Sequence, residues 1–178
     1  MAISRSLSFF VPLLVIFVLT NSTSSEAQTQ DVIDEVCRQM EEYGFCNRTF
    51  HENMKSPTTD YVGLTAIAMD QTIKNASNTY DYIVLLVKNT TDPKFKFALM
   101  VCESAFSTVR SSFQTGLQYF NKKDNAGMLN VEHDTPRRQA NCEASLSIQP
   151  TPNPLVDRNR QMRILIAMSL VTGHQLLH

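Results

Sequence analysis

The segment TTDPKFKFALMVC, residues 90–102, predicts the start of a long helix. The Asp92 carboxylate can cap this helix, and Pro93 suits its first turn, where a missing N–H costs little. Apolar or small residues then recur in alternating steps of four and three, which is typical of a helix with one buried stripe. The stripe comprises Phe95, Leu99, Cys102, Phe106, Val109, Phe113, Gly116 and Phe120. The pattern therefore predicts a helix from Pro93 to the neighbourhood of Phe120.

A helix of similar length precedes this one. Residues 61–87 repeat the same spacing, and the polar stretch 58–60 supplies a capping oxygen just before the first turn. The second stripe comprises Val62, Ala66, Met69, Ile73, Ala76, Tyr80, Ile83 and Val87. Two consecutive striped helices with a short loop between them predict an antiparallel hairpin.

Two further helical segments follow. Residues 125–148 predict a helix that is kinked or broken near Thr135, because Pro136 lies in its middle. Residues 153–177 predict a long helix with Pro154 in its first turn. Its apolar face comprises Leu155, Met162, Leu165, Ile166, Met168, Leu170 and Leu177. No stretch alternates with the period of two that a strand needs, so the sequence predicts an all-α fold built on a four-helix up-and-down bundle.

The first 27 residues predict a secretory signal peptide. One positive residue, Arg5, precedes the apolar run LSFFVPLLVIFVL at 7–19, and small residues lead to Ala27, after which we place cleavage. The run is too short to span a bilayer comfortably, so an uncleaved membrane anchor is the less favoured alternative. We expect residues 28–178 to form one exported, soluble domain. The net charge of −1 argues against nucleic acid as a partner.

All four cysteines lie in the part expected to be exported. They are Cys37, Cys46, Cys102 and Cys142. An even number of cysteines in an oxidising compartment indicates two disulfides. A metal site is the competing interpretation, but the chain has no C-x-x-C pair and no histidine close enough to complete a zinc site. We therefore expect no metal and no other cofactor.

Three sequons in the part expected to be mature fit passage through a glycosylating secretory pathway, and a fourth, NST at Asn21, should leave with the signal peptide. The motifs NRT, NAS and NTT place candidate N-glycosylation sites at Asn47, Asn75 and Asn89. Each motif alone is weak, because sequons arise often by chance. Their coincidence with a signal peptide is the stronger indication of an exported glycoprotein.

The cysteine spacing and the order of the helices resemble the plant invertase and pectin methylesterase inhibitors. The matching segments are VCRQMEEYGFC at 36–46, TDPKFKFALMVC at 91–102, ANCEASL at 140–146 and NPLVDRNRQMRILIAMSL at 153–170. Eight residues separate Cys37 from Cys46, and thirty-nine separate Cys102 from Cys142. The match covers essentially the whole mature chain. The chain resembles pollen-type invertase inhibitors, some of which are allergens.

This resemblance implies an N-terminal helical hairpin at residues 28–57 and a four-helix bundle at 58–178. We expect Cys37 to be joined to Cys46, and Cys102 to Cys142, with the second bridge tying two bundle helices together from inside. The family also implies inhibition by stoichiometric binding in the apoplast. The expected partner is a cell-wall or vacuolar invertase, placed ahead of pectin methylesterase by overall likeness.

Family members that inhibit invertase use a Pro-Lys-Phe motif in the turn after the helix that carries the third cysteine. Here the tripeptide at 93–95 precedes Cys102 and lies at the other end of that helix. Its distance from the turn after the helix is about 40 Å. The turn that corresponds to the inhibitory loop is NKKDNAG, residues 121–127, which lacks both proline and phenylalanine. We take its centre as the candidate target-binding loop, with an ordinary solvated turn as the alternative. The candidate residues are Lys122, Lys123, Asp124 and Asn125.

No constellation of residues predicts catalysis. The histidines are His51, His133, His174 and His178. They are scattered, and the chain has neither a nucleophile elbow nor the E-x-x-H pairs of a di-iron bundle. The remaining alternative is a non-inhibitory secreted bundle that encloses an apolar ligand or serves as an abundant pollen or storage protein. An internal apolar cavity would distinguish it, since the core of an inhibitor should be filled.

Overall fold

The computed structural model describes residues 25–178, and every regular element within them is helical. The elements are α1 (residues 25–37), α2 (Tyr43–Asn53), α3 (Tyr61–Asn89), α4 (Pro93–Asn121), α5 (Asn125–Glu132), α6 (Thr135–Ser147) and α7 (Val156–His174), which ends in a 3₁₀ turn at Gln175–Leu177. The predicted all-α fold is confirmed. Residues 1–24 of the predicted signal peptide lie outside the described residues. None of the helices described is long and apolar enough to cross a membrane.

Four helices, α3, α4, α6 and α7, form the predicted up-and-down bundle. Helix α3 packs against α4 and α7, α4 packs against α6, and α6 closes the ring against α7. The short α5 fills the corner between α4 and α7. The centre of the bundle is apolar, and its largest fully buried side chains include Phe106, Phe113 and Leu99 of the α4 stripe. Two residues assigned to stripes are exposed instead, Val62 and Leu177, because each lies near the end of its helical segment, beyond the packed region.

The helix starts follow from side-chain caps. The Asp92 carboxylate accepts hydrogen bonds from the backbone N–H groups of Lys94 (2.8 Å) and Phe95 (2.9 Å), and Pro93 is the first helical residue. Asp60 accepts from the Gly63 N–H at 2.9 Å and starts α3 in the same way. Each aspartate satisfies donors that the first turn of a helix leaves without partners. The tripeptide at 93–95 is therefore the first turn of α4.

Of the predictions for Pro136 and Pro154, one is confirmed and one is wrong. The predicted break near Thr135 is confirmed, since α5 ends at Glu132, α6 begins at Thr135, and Pro136 is its second residue. The prediction for Pro154 is wrong, because α7 begins two residues later, at Val156. The Asn153 side chain accepts a hydrogen bond from the Leu155 N–H at 2.8 Å, so a local turn holds Pro154 just outside the helix.

The N-terminal helices pack on a second apolar cluster. Its buried residues are Ile33, Val36, Cys37, Met40, Cys46, Phe50, Leu64, Ala68, Ile164, Leu165 and Met168. They come from α1, α2, the start of α3 and the middle of α7, except Met40, which lies in the connection between α1 and α2. Arg163 on α7 forms two ion pairs. Its guanidinium lies 2.9 Å from the carboxylate of Glu41, just before α2, and 2.6 Å from the carboxylate of Glu143 on α6. The division of the chain into a hairpin at 28–57 and a bundle at 58–178 stays a prediction.

Both expected disulfides are present. Cys37 is joined to Cys46, and Cys102 is joined to Cys142. All four cysteines are fully buried. The second bridge lies inside the bundle and connects α4 to α6.

A buried carboxylic acid fixes the end of α5. Glu132 is fully buried, and the Ser169 hydroxyl on α7 donates to its Oε2 at 3.3 Å. Its Oε1 has no hydrogen-bond partner among the described residues. This oxygen lies against Gly116 of α4, where an added Cβ would collide with it. The glycine therefore makes room for the acid between α4, α5 and α7.

The two disulfides should contribute unequally to stability. In the loop-entropy model, the free energy of unfolding falls by about 4 kcal/mol when the bridge of sequence separation 40 is lost, and by about 2.5 kcal/mol for separation 9. We expect Cys102→Ala/Cys142→Ala to destabilise the protein more than Cys37→Ala/Cys46→Ala. Urea unfolding of both double variants measures the difference. Equal losses would contradict the entropic order, and peptide mapping without reduction checks the pairing itself.

Glu132 should make stability depend on pH. Burial raises the pKa of Glu132 to about 8 in the folded protein, and the Ser169 hydrogen bond offsets this only in part. In the unfolded chain the same carboxyl group is in water and ionises near its ordinary pKa of 4.5. The contribution of Glu132 to the free energy of unfolding should therefore be fully present below pH 4.5 and fall by a few kcal/mol as the pH rises to about 8.

The variant Glu132→Gln should abolish this dependence, because an amide of similar size does not ionise. The measurement is the free energy of unfolding by urea at several pH values between 4.5 and 8. Glu52→Gln, on the exposed surface of α2, is the matched control and should keep the wild-type slope. An unchanged slope in Glu132→Gln would contradict the assignment.

Candidate functional site

The candidate loop is a tight turn at the C-terminal end of α4. The backbone N–H of Lys123 donates to Phe120 O (2.8 Å), and that of Asp124 donates to Tyr119 O (3.0 Å), so the chain folds back on the last turn of the helix. Lys123 has φ of 61°, the left-handed conformation that often terminates a helix. It is the only residue other than glycine with positive φ among those described. The sequence therefore exits α4 without the glycine usual at this position.

Two of the four candidate residues hold the turn in place. Asp124 is the N-cap of α5 and accepts from the Gly127 N–H at 2.8 Å. A Cβ at Gly127 would come within 2.6 Å of the Asp124 carboxylate and 2.7 Å of the Tyr119 ring, so only glycine fits this close approach. The Asn125 amide donates to Leu176 O at 2.9 Å, which ties the turn to the C-terminal 3₁₀ turn. Asp124 and Asn125 therefore have clear structural roles.

The other two residues form the exposed tip. Lys122 and Lys123 are both exposed, and neither forms an ion pair within 4.0 Å in the part of the chain from 25 to 178. The Asp124 carboxylate between them and α5 is engaged by the backbone of α5. The tip is therefore a small cationic surface. We call these two side chains the lysine tip.

The packed helices on either side fix the position of the backbone at the lysine tip. Helix α4 is packed along the core, and α5 is fixed at one end by the Asp124 cap and at the other by buried Glu132. Glu132 was not predicted from the sequence. A signal was present, because Met128 and Glu132 are four residues apart and share one face of α5, where both are buried.

The candidate glycosylation sites lie apart from the lysine tip. Asn47 is on α2, Asn75 is in the middle of α3, and Asn89 is the last residue of α3. Asn89 is next to the α3–α4 loop, at the opposite end of α4 from the tip. The four cysteines likewise serve the core and are not near an exposed surface.

Two other features of the described surface bear on a metal or ligand site. Within residues 25–178, no three His, Cys, Asp or Glu side chains lie together as a metal ion would require. A depression of about 650 Å³ lies beside α3 and contains Asp70 and Lys74 as well as apolar Met54, Ile67 and Leu117. It opens to the surface and is partly polar, which is unlike an enclosed apolar ligand cavity.

The sequence is similar to that of a known protein family. A model of the family "Plant invertase/pectin methylesterase inhibitor" matches residues 31–171. Cell wall / vacuolar inhibitor of fructosidase 2 from Arabidopsis thaliana is 26% identical over 116 residues, which cover 65% of this chain and 64% of that protein. The match thus spans slightly less than two thirds of this relative.

Solved structures show a similar fold. A crystal structure of a mutant form of a pectin methylesterase inhibitor from Arabidopsis has a TM-score of 0.71 and covers 78% of this chain and 93% of its own. A second pectin methylesterase inhibitor from Arabidopsis thaliana has a TM-score of 0.63, with coverages of 81% and 95%. Both are 16% identical to this chain, so the likeness concerns the fold alone.

The family match extends over nearly all of the helical structure. It begins in α1, includes both disulfides, and ends in α7. The family takes its name from the inhibition of two enzymes, invertase and pectin methylesterase. The chain belongs to the plant invertase/pectin methylesterase inhibitor family.

Proposed function

We propose that this protein is a secreted inhibitor of a plant cell-wall or vacuolar invertase, acting by one-to-one binding without turnover. The match of residues 31–171 to an inhibitor family carries the proposal. Invertase is favoured over pectin methylesterase because the relative from Arabidopsis thaliana is named as an inhibitor of fructosidase. The predicted signal peptide supports a location in the apoplast.

The lysine tip is the part of the surface that suits a glycosidase cleft. Glycoside hydrolases commonly carry two carboxyl groups that flank the bond to be broken. Two exposed ammonium groups on a rigid turn complement such a cleft in charge. The attraction between opposite charges is stronger in a cleft of low dielectric constant than in water. Lys122 and Lys123 are therefore the residues proposed to enter the active site of the enzyme.

Asp124 and Asn125 are assigned a different role in this proposal. Their side chains bond to the Gly127 N–H and to Leu176 O, so they position the lysine tip and do not contact the enzyme. The left-handed backbone at Lys123 sets the path of the tip as it leaves α4. A turn already fixed in the free protein loses little conformational entropy on binding.

Pectin methylesterase is the second candidate, and a different surface supports it. Phe97 and Met100 on α4 are 68% and 51% exposed, which is unusual for large apolar side chains. Phenylalanine and methionine are enriched in protein interfaces, and the resemblance implies that members acting on pectin methylesterase bind through helix faces. This helix face is therefore the proposed contact if the target is pectin methylesterase.

Neutralising the lysine tip should weaken inhibition of invertase. The double variant Lys122→Gln/Lys123→Asn removes both charges and keeps a left-handed backbone at 123, which asparagine tolerates. We expect its inhibition constant against invertase to rise about tenfold or more at mildly acidic pH, with an unchanged Tm. Lys88→Gln/Lys94→Gln, which removes two exposed charges at the other end of α4, is the control. Equal effects of both pairs would contradict a role for the tip.

Residual activity assays on both enzymes decide the target. If pectin methylesterase is the partner, Phe97→Gln/Met100→Gln should weaken its inhibition about tenfold or more, because a central apolar contact is lost. The control is Val62→Gln, at another exposed apolar position. A stable complex should bury about 1,200 Å² or more and elute as one-to-one on size exclusion. Inhibition of neither enzyme across several isoforms would contradict the proposed function.

A further inference from the structure

The asparagines of the three sequons within residues 25–178 lie in different environments. Asn89 is exposed at the last position of α3, whereas Asn75 is half-buried between helices. We propose that Asn89 carries an N-linked glycan in the secreted protein, that Asn75 stays unmodified, and that the glycan covers the exposed leucine beside Asn89. This inference rests on the secretion included in the proposed function.

The backbone around Asn89 suits modification. Helix α3 ends at Asn89, and the next residue, Thr90, is extended, with φ of −85° and ψ of 126°. Thr91, which completes the sequon, is exposed in the α3–α4 loop. A sugar on Asn89 thus leaves from the end of a helix into solvent, without displacing a neighbouring helix.

The side chain of Asn75 is already engaged. Its Nδ2 donates to Gln161 Oε1 on α7 at 3.2 Å, and its Oδ1 accepts from the Thr79 hydroxyl at 3.4 Å. An N-linked sugar would be attached to the same Nδ2 atom. The surrounding groove, about 340 Å³, is bounded by α2, α3 and α7 and includes Phe45 and Leu165. A sugar there would push Gln161 and the walls of the groove apart.

An exposed leucine lies beside Asn89. Leu85 is 58% exposed and precedes Asn89 by four residues, so the two side chains are neighbours on one face of α3. The first sugars of a glycan on Asn89 would lie over this apolar side chain. A glycan on Asn89 would therefore shield Leu85 from solvent.

The position is compatible with inhibition through the lysine tip. Helix α4 has 29 residues and separates the α3–α4 loop from Lys122 by about 40 Å. A glycan on Asn89 thus lies at the far end of the bundle. Its removal should leave the inhibition constant unchanged.

The test is site mapping of the full chain secreted from cultured plant cells. Enzymatic release of glycans in heavy-oxygen water labels each asparagine that carried one, and mass spectrometry reads each site from its own peptide. Thr91→Ala and Ser77→Ala remove the two sequons while keeping both asparagines, so packing around Asn75 is retained. We expect label at Asn89, no label at Asn75, loss of a glycan mass in Thr91→Ala and no loss of glycan mass in Ser77→Ala.

Two outcomes would overturn the inference: label at Asn75, or a bare Asn89, in protein recovered from the medium. Recovery of the protein only inside the cell, without sugar, would instead refute the secretion on which it rests. The site at Asn47, whose amide makes only a 3.4 Å contact with the Tyr43 hydroxyl, does not affect the comparison.

Shielding of Leu85 has its own measurement. Secreted Thr91→Ala should self-associate at least severalfold more than the wild type on analytical ultracentrifugation, because Leu85 is uncovered. Adding Leu85→Gln to Thr91→Ala should restore the wild-type behaviour. Equal association of wild type and Thr91→Ala would overturn the shielding role.

Discussion

The close approach of α4 and α6 is the constraint on which the bundle depends. The Cα atoms of Cys102 and Cys142 lie 4.4 Å apart, in the middle of the core. Two helices can come this near only where their side chains are small. Ala98 and Ala105 lie four residues before and three residues after Cys102, so all three share one face of α4, and all are buried. The segment that starts α4 therefore also provides the surface against which α6 packs.

Near its C-terminal end, α4 packs against α5, again through a small residue. Gly116 of α4 lies against the carboxyl group of Glu132, which no larger residue would permit. Because α6 is held by the disulfide and α5 by this contact, the chain must turn between them. Thr135 makes that turn, since its hydroxyl donates to Glu132 O at 2.7 Å. Small residues at both ends of α4 thus determine the positions of α5 and α6, and through α5 the position of the lysine tip.

Structural features that depend on neighbouring residues in the sequence could be predicted, whereas features that depend on distant residues could not. The starts of α3 and α4 depend on Asp60 and Asp92 and the residues directly after them, so cap and stripe together were sufficient. The burial of Glu132 depends on Gly116 and Ser169, which are far from it in sequence, and acids on helices usually face water.

The Pro-Lys-Phe tripeptide shows how placement within the fold changes the meaning of a motif. Pro93 is held at the start of α4 by the Asp92 cap, and Phe95 packs against the core. Presenting the three residues as a protruding finger would break the cap and withdraw Phe95 from its apolar neighbours, at a cost of about 1 kcal/mol for the cap alone. Lys123, in contrast, already lies outside regular structure, in a left-handed conformation that costs energy in a residue with a Cβ and persists because the hydrogen bonds of the turn hold it. A binding role at the far end of α4 requires no such rearrangement.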